Sequence, residues 1–508
     1  MGRAPEHSPV AITRVAGSYP TTAPFDPGVA YPEFPGIPAS TPNPVYHAVR
    51  ETWRQLGYDA ARFGTPQWNP LGFLIKPGDR VFLKPNLVTH EYRASCGCDG
   101  DVFSVITHPS VVRAVADYAA LALRGRGELV IGDNPCIDAD FDRLLEVTRL
   151  RSLEPVYPRL FGVPCRVLDL RPLRTRQLRY YGFKSKAEPQ PGDPEASTVL
   201  NLGEQSCFYG LNPLLFRGVF TNRWETIRHH HGRTHEYSIS NTILNSDVYL
   251  SIPKLKAHHK VGATLNIKGL VGINANKNFL VHWRVGFPRW GGDEFPGAHR
   301  AADYARLVFR HLCSDLLPEP FVLWCRDRLQ GGGLERWFQL RQRSAHEKFR
   351  GAWDGNDTCW RMAADLYKVF IQDASGWRER QGRSLRTFSV VDGVLAGEGN
   401  GPFCPAGKPA QVLVAGENLL HVDTVSARLM DFDLRQIRYL DHLLREEGTE
   451  PEEIPVVSED FSSENFFDAG KRYLRFVPPS GWPRLALNSP PGETEHTYAD
   501  HYSCRGQG

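Results

Sequence analysis

The segment from 251 to 272 carries the densest set of residues that could do chemistry. It reads SIPKLKAHHKVGATLNIKGLVG. If a strand continues past Pro253, its period of two places Lys254, Lys256 and His258 on one face. Charged side chains are rarely stacked on a buried sheet face without partners. The pattern therefore predicts an anionic substrate or facing carboxylates, and solvated lysines beyond the end of a strand are the alternative.

A further lysine follows in the same segment. Lys268 would share a helical face with Thr264, and its neighbours Ile267 and Leu270 are apolar. Partial burial would lower the pKa of this lysine and suit it to acid–base work or to holding an anion. We interpret Lys268 as a catalytic candidate, together with Lys256 and His258. A lysine that reaches from an apolar turn to solvent is the alternative.

Polar turns follow several predicted strands. In open α/β sheets, ligands bind beyond the carboxyl ends of the strands, although turns also favour Asp, Asn and Gly for backbone reasons. His108 would lie at a helix start beside this edge of the sheet. The residues that we predict to bind the ligand from these positions are Lys84, Asn86, Asp133, Asn134, Lys254 and His108.

Glycines and carboxylates meet in the stretch VVDGVLAGEGNGP at 390–402. Asp392 and Glu398 are candidate catalytic carboxylates, while Gly399 and Gly401 would allow close backbone approach to a ligand. The stretch is neither a dinucleotide fingerprint nor a Walker loop, because the required glycine and lysine spacings are absent. A structural glycine turn is the alternative.

Histidine and cysteine patterns give weaker signals for a metal. Three adjacent histidines cannot all face one ion from regular structure, so we interpret the run from His229 to His235 as a mobile surface loop. Cys96 and Cys98 lack the repeats of zinc ribbons and ferredoxin-type clusters. An iron–sulfur cluster is therefore not expected. The cofactor and metal ligands stay unassigned, and a divalent ion stays an open alternative.

Strand and helix signals alternate along most of the chain. Short apolar runs predict strands, and the amphipathic segments between them predict helices. This order predicts an α/β fold with a doubly wound, mostly parallel sheet. The predicted divisions are a proline-rich N-terminal arm (1–45), a first part of the α/β core (46–275), a helical insertion or cap (276–380), a second part of the core (381–450) and a C-terminal tail (451–508).

Charge and hydropathy narrow the class of protein. The 508 residues carry a formal net charge of only +3, which argues against a dedicated nucleic-acid binder. No apolar run approaches the length of about 18 residues that a membrane span needs. We expect a cytoplasmic protein that binds a small anionic molecule and neither nucleic acid nor membrane, with a homo-oligomer left open.

Several of these motifs together resemble the family called domain of unknown function 362. The resemblance implies little chemistry, because the family's activity is largely unassigned. Some members carry a four-iron ferredoxin-like module, whose cysteine pattern this chain lacks. The motifs, in the family's order, are KPNLV at 84–88, THPSVVRAV at 107–115, IGDNP at 131–135, the segment at 251–272, GAWDGNDTCWRMAADLYKV at 351–369, the glycine stretch at 390–402 and VAGENLLHVDTVSARLM at 414–430.

A fainter likeness links the lysine–glycine arrangement to lactate racemase-like proteins, whose lysine and histidines serve a nickel-pincer nucleotide. By that analogy Lys256 or Lys268 would hold a cofactor, and His108 and His258 would be the acid–base pair. Fold analogy of this kind does not by itself carry function.

Three functions follow as hypotheses. The leading one is an enzyme of a biosynthetic pathway that acts on a small anionic metabolite by acid–base or metal-assisted chemistry. The second is a non-catalytic module that binds a ligand or nucleotide in the same basic crevice. The third is a metal- or redox-linked protein distantly like lactate racemase.

Overall fold

The computed structural model describes residues 8–39, 42–93, 100–175, 188–218, 222–297, 301–317 and 350–487. Cys96, Cys98 and residues 318–349 of the predicted insertion lie outside these ranges. The described strands are β1 Val10–Arg14, β2 Arg80–Pro85, β3 Glu128–Asp133, β4 Cys165–Asp169, β5 Leu173–Arg174, β6 Glu188–Pro189, β7 Ser197–Asn201, β8 Phe216–Gly218, β9 His230–His231, β10 Thr234–Ser240, β11 Val248–Ile252, β12 Lys254–His258, β13 Gly262–Ala263, β14 Val281–Arg284, β15 Arg386–Glu398, β16 Ala406–Lys408, β17 Val412–Gly416 and β18 Val456–Val457.

The α-helices of the described residues lie between and after these strands. They are α1 Pro44–Gln55, α2 Pro109–Leu123, α3 Phe141–Thr148, α4 Val156–Phe161, α5 Arg223–His229, α6 Asn241–Leu244, α7 Leu265–Gly269, α8 Ala301–Leu316, α9 Cys359–Phe370, α10 Trp377–Arg380, α11 Leu419–Leu429 and α12 Arg438–Glu447. None of the helices in the described ranges is both long enough and apolar enough to cross a membrane.

One large sheet organises the described part of the chain. Its central path runs β18-β1-β17-β15-β11-β2-β3-β4, and β12, β13 and β16 attach beside this path. Strands β15, β11, β2, β3 and β4 pair in parallel, whereas β17 is antiparallel to both β15 and β1. The predicted α/β fold with a mostly parallel sheet is confirmed.

Helices cover both faces of this sheet, and the alternation of strand side chains explains why. In β2, Val81 and Leu83 pack into the core that includes α1 and α2, while Phe82 between them packs into the opposite core with α9 and α11. Strands buried on both faces need apolar residues at every position. The apolar strand runs of the sequence therefore predict a sheet that is sandwiched between two helical layers.

The N-terminal residues contribute more structure than their proline content indicates. Within the predicted arm, β1 pairs antiparallel with β17 and parallel with the short C-terminal strand β18. All but the last residue of β1 are buried. Strand β1 from the N-terminal region and strand β18 from the C-terminal region thus lie side by side at one edge of the sheet.

The histidine run does not form the predicted surface loop. Helix α5 ends at His229, and β9 then pairs with β10 in a hairpin. His230 is fully buried with its Nε2 2.6 Å from the Phe279 carbonyl oxygen, and His235 is buried as well. The prediction was wrong because His230 and His235 are cross-strand partners in this hairpin and so share its buried face, where each ring bonds to a backbone carbonyl.

Candidate functional site

A pocket of about 140 Å³ lies where β2, β3 and β12 end. This edge of a parallel sheet is the usual position of ligand sites in α/β proteins. Its wall includes seven of the residues predicted to form the site: Lys84, Asn86, Asp133, Asn134, Lys256, His258 and Lys268. We call it the lysine pocket, because its wall carries the lysines Lys84, Lys256, Lys260, Lys268 and Lys277.

The strand after Pro253 continues as the sequence predicts. β11 ends at Ile252, and β12 runs from Lys254 to His258 beside β15. Lys254 and Lys256 are fully buried, and His258 is 5% exposed. The alternative of solvated lysines beyond the strand is therefore wrong.

Lys256 is held by neutral groups alone. Its Nζ donates to the carbonyl oxygens of Val105 at 2.6 Å and Pro402 at 3.1 Å. Burial, followed by the charges of Lys254 and Lys268, keeps the pKa of Lys256 well below its usual value. Carbonyl dipoles orient the amine but do not supply the negative charge that a buried ammonium needs.

Lys268 reaches the pocket from the short helix α7. The Asp423 carboxylate fixes the start of this helix, because it accepts the backbone N–H groups of Asn266 and Ile267, each at 2.8 Å. Burial raises the pKa of Asp423 to about 7. Burial also lowers the pKa of Lys268, which is 7% exposed. The prediction that Lys268 is part-desolvated is confirmed.

Two further lysines of the pocket were missed from the sequence. The Lys277 Nζ donates to the carbonyl oxygens of Asn134 at 3.0 Å and Val271 at 2.8 Å, and burial lowers the pKa of Lys277 to about 7. The Lys260 Nζ donates to the Arg350 carbonyl oxygen, and burial lowers the pKa of Lys260 to about 8. Their sequence signal is position alone, because Lys260 lies within the 251–272 segment and Lys277 lies shortly after it.

One carboxylate faces these lysines among the residues that line the pocket. Asp133 Oδ1 lies 2.9 Å from Lys84 Nζ, and Asp133 Oδ2 accepts the Leu87 N–H at 2.8 Å. A Cβ at Gly272 would overlap both Asp133 Oδ1 and Lys84 Nζ, so only glycine permits this packing. The pair neutralises Lys84 and leaves four pocket lysines without a carboxylate on the wall.

Hydrogen bonds fix the tautomers of two pocket histidines. The His258 Nδ1 accepts the Lys260 backbone N–H at 3.0 Å, so the proton of the neutral ring lies on Nε2. The His282 Nδ1 lies 2.9 Å from the Leu280 carbonyl oxygen and must donate to it, which leaves Nε2 with a lone pair. Burial and nearby lysines keep the pKa of both rings well below the usual value. One ring is therefore a donor and the other an acceptor.

Two polar atoms of the pocket residues are shut off from solvent and have neither a hydrogen-bond nor an ion-pair partner within the described residues. They are the Thr264 Oγ1 and the Asn134 Oδ1, both buried. Buried polar atoms are generally hydrogen-bonded in native proteins, and each exception needs an explanation. A bound ligand or water in the pocket would satisfy them.

Lys254 lies in a separate buried cluster, which we call the Tyr19 cluster. Its Nζ donates to Asp392 Oδ2 at 2.9 Å and to the Tyr19 hydroxyl at 2.7 Å. The Tyr19 hydroxyl donates to Asp392 Oδ1 at 2.6 Å. His108 stacks on the Tyr19 ring at 4.0 Å and donates its backbone N–H to Asp392. The structure thus places Lys254, Asp392 and His108 together, outside the wall of the lysine pocket.

The remaining predicted residues lie in the turn after β15. Glu398 pairs with Lys408 at 3.0 Å and accepts the Val477 N–H at 3.0 Å. Gly399 has a φ of +74°, and a Cβ at Gly401 would overlap the Ala257 carbonyl. The glycines thus let this turn pack against β12, where the following Pro402 carbonyl bonds to Lys256.

A metal site is not evident among the described residues. No group of three or more His, Cys, Asp or Glu side chains in the described ranges is arranged to hold an ion. The donor set of the pocket, chiefly ammonium groups, repels cations and suits an anion.

Comparison with known proteins identifies a family. Residues 209–428 match the family described as domain of unknown function (DUF362). Residues 209–428 are thus similar to the DUF362 family. No curated protein and no solved structure matches it.

The matched residues supply part of the pocket. They include Lys256, Lys260, Lys268 and Lys277 and both tautomer-fixed histidines, whereas Lys84 and Asp133 precede them. The four lysines without a wall carboxylate therefore lie within the matched residues, and the neutralised Lys84 pair lies before them.

Proposed function

We propose that this protein is an enzyme that binds a small anionic metabolite in the lysine pocket and transfers a proton to or from it. The observation that carries the proposal is the charge imbalance of the pocket wall. Five lysines face it with a single carboxylate, and that carboxylate is already paired with Lys84. The volume of about 140 Å³ favours a small ligand.

A bound anion would neutralise the pocket lysines and would also accept hydrogen bonds from their remaining N–H groups. An ammonium group has three N–H donors. Lys256 and Lys277 each use two of them on backbone carbonyls, so each keeps one for a ligand. Charge-assisted bonds from several ammonium groups are the strong kind, and they would offset the cost of burying these cations.

The combination of nitrogen types supports an enzyme over a passive binding module. The pKa values of about 7 for Lys277 and about 8 for Lys260 lie near the range in which acid–base catalysts work best. His282 offers a lone pair, and His258 offers a proton, in the same pocket. We favour acid–base chemistry over metal-assisted chemistry for this reason, and we expect the enzyme to work in the cytoplasm.

The first test is calorimetric titration of the purified chain with sulfate, a small dianion that does not titrate near neutral pH. The variant Lys268→Met should bind sulfate roughly tenfold to hundredfold more weakly, because a hydrogen bond to a charged group is worth about 1.5–3 kcal/mol. The exposed Lys76→Met is the matched control and should bind like the unaltered protein. Equal affinity in all three proteins would contradict the site.

A mass spectrum of small molecules released from the purified protein would name the ligand class. An organic anion, consumed on incubation with the unaltered protein, is the expected result. Saturable binding without consumption would favour the binding module, and stoichiometric metal would favour the metal-linked protein. Either of these two results would contradict the proposed reaction.

A further inference from the structure

Lys268 differs from the other lysines of the pocket in having no fixed partner. Its Nζ makes no hydrogen bond or ion pair with the described residues, and Cys359 is the sole neighbour that favours its charged form. Every other pocket lysine donates to at least one backbone carbonyl. Hydrogen bonds to backbone carbonyls hold the amine of each of these other lysines in one orientation. The Lys268 amine has no such bonds, so it can turn its nitrogen toward a reacting atom.

The surroundings of Lys268 also favour a neutral amine. Burial withdraws water from Lys268 and lowers its pKa. Lys256 is a neighbouring cation, since the charge of Lys268 lowers the pKa of Lys256. A neutral lysine amine is a nucleophile, and desolvation beside another cation is an established way to obtain one.

Both histidines with fixed tautomers lie in the electrostatic range of Lys268. The Lys268 charge is the first electrostatic influence on the pKa of His258 and on that of His282. His258 carries a proton on Nε2, and His282 carries a lone pair there. An amine with a proton donor and a proton acceptor beside it has the groups that condensation with a carbonyl requires.

We infer that Lys268 forms an imine with the carbonyl carbon of a small carboxylate that bears an aldehyde or ketone group. The inference rests on the proposed function, since the remaining N–H groups of Lys256 and Lys277 would hold the carboxylate. It narrows the substrate from any small anion to one with a reactive carbonyl.

The step balances without any oxidant or reductant. The lone pair of Lys268 Nζ attacks the carbonyl carbon, a C–N bond forms as the C=O π bond breaks, and the His258 Nε2–H donates a hydrogen bond to the oxyanion. His282 Nε2 takes one proton from the new ammonium and passes it to this oxygen, which becomes a hydroxyl. The second amine proton follows the same route, the C–O bond breaks with loss of water, and the C=N bond forms, so the overall change is amine plus carbonyl to imine plus water. Once its nitrogen takes up a proton from solvent, the imine withdraws electrons from the neighbouring carbon, which makes its C–H bond acidic and links this step to proton transfer.

Reductive trapping with glyoxylate and cyanoborohydride tests the inference on the full chain. After limited reaction near neutral pH, peptide mapping should find the reduced adduct on Lys268 roughly tenfold or more above that on the exposed Lys76. Each unit by which a pKa falls gives about tenfold more free amine. Glycolate, which has the same charge and no carbonyl, should protect Lys268 and leave the labelling of Lys76 unchanged.

The variant Lys268→Arg separates this inference from the proposed function. Arginine supplies the cation that Lys268 becomes when an anion binds, so glycolate affinity should stay within about threefold while the adduct disappears from the pocket. Labelling of Lys268 no faster than that of Lys76, or preferential labelling of Lys260 or Lys277, would overturn the imine. Glycolate binding without Lys268 labelling would leave the anion site standing, whereas absence of any anion binding would remove the proposed function itself.

Discussion

Two buried lysines on the same strand have different partners. Lys254 lies in the Tyr19 cluster, where Asp392 at 2.9 Å neutralises it and the Tyr19 hydroxyl accepts a second bond. Lys256, two residues later, meets carbonyl oxygens and the lysine pocket. One cation is compensated by the protein, and the other lacks a carboxylate partner.

The difference separates structural charge from functional charge. A buried ion pair whose atoms are all satisfied holds two chain segments in one arrangement, here the N-terminal residues and β15. Buried cations without a counter-charge cost free energy in the empty protein, and a ligand can return that cost on binding. Substitutions in the two regions should therefore change stability in opposite directions.

The largest effect is expected in the Tyr19 cluster. Asp392→Asn should lower the free energy of unfolding by about 3–5 kcal/mol, because it leaves the Lys254 charge buried without its partner. Urea unfolding followed by tryptophan fluorescence measures the change. Replacing both partners, with Lys254→Met and Asp392→Leu, should cost less than the single change. A single-variant loss below about 1 kcal/mol would mean that the pair is not the structural element described.

The same kind of substitution in the lysine pocket should have the opposite sign. Lys268→Met in the ligand-free protein should raise the free energy of unfolding by about 1–3 kcal/mol, since it removes an unpaired buried polar group. Urea unfolding of both proteins without added anions checks this. Destabilisation by Lys268→Met would indicate a partner that the pocket geometry does not provide.

The pH dependence of stability should report the pocket lysines. The pKa values of Lys260 and Lys277, about 8 and 7, are lower in the folded protein than the value of about 10.4 in an unfolded chain. Between these values the unfolded chain holds protons that the folded protein has released. The free energy of unfolding should therefore rise with pH from about 7 to 10, by less than about 1.4 kcal/mol per pH unit for each lysine.

Unfolding curves across this pH range check the slope. Saturating sulfate should flatten it, because an anion raises the pKa of the folded lysines toward the unfolded value. Lys277→Met should flatten it as well. A slope that neither sulfate nor Lys277→Met changes would exclude these lysines as its source.

The smallest effect is expected at Glu398. The part-buried pair with Lys408 contributes on the order of 1 kcal/mol or less, so Glu398→Gln should change stability by no more than that. It should also leave sulfate affinity unchanged, which calorimetry measures. A large loss of substrate turnover in Glu398→Gln would restore Glu398 to the catalytic role that its sequence position suggested.

The fold and much of the pocket follow from local sequence patterns. The apolar runs predict the strands, and the rule that ligands bind at their carboxyl ends brings Lys84, Asp133 and Lys256 to one edge. The period of two places Lys254 and Lys256 on one face, but it cannot show that Asp392 pairs with Lys254 and not with Lys256. The choice of partner depends on the register between β12 and β15, which shifts between these two lysines.

The residues that sequence reasoning missed are placed at these sites by contacts between segments that are distant in sequence. Tyr19 comes from a proline-rich stretch with no periodic signal and reaches Asp392 across more than 370 residues. Lys277 follows the central motif, at the start of a short 3-10 helix that spans Lys277–Phe279. Gly272 is needed because its neighbours are Lys84 and Asp133, and a single sequence does not report such neighbours.

The central claim is that the lysine pocket lacks a negative charge that its ligand supplies. Calorimetry of sulfate binding at pH 8, in buffers of different ionisation enthalpy, counts the protons taken up on binding. At least about one proton should be taken up, since Lys277 is mostly neutral and Lys260 is half-neutral at that pH in the empty pocket. The uptake should fall in Lys277→Met and persist in Lys76→Met. Sulfate binding without proton uptake, or equal uptake in both variants, would contradict the account.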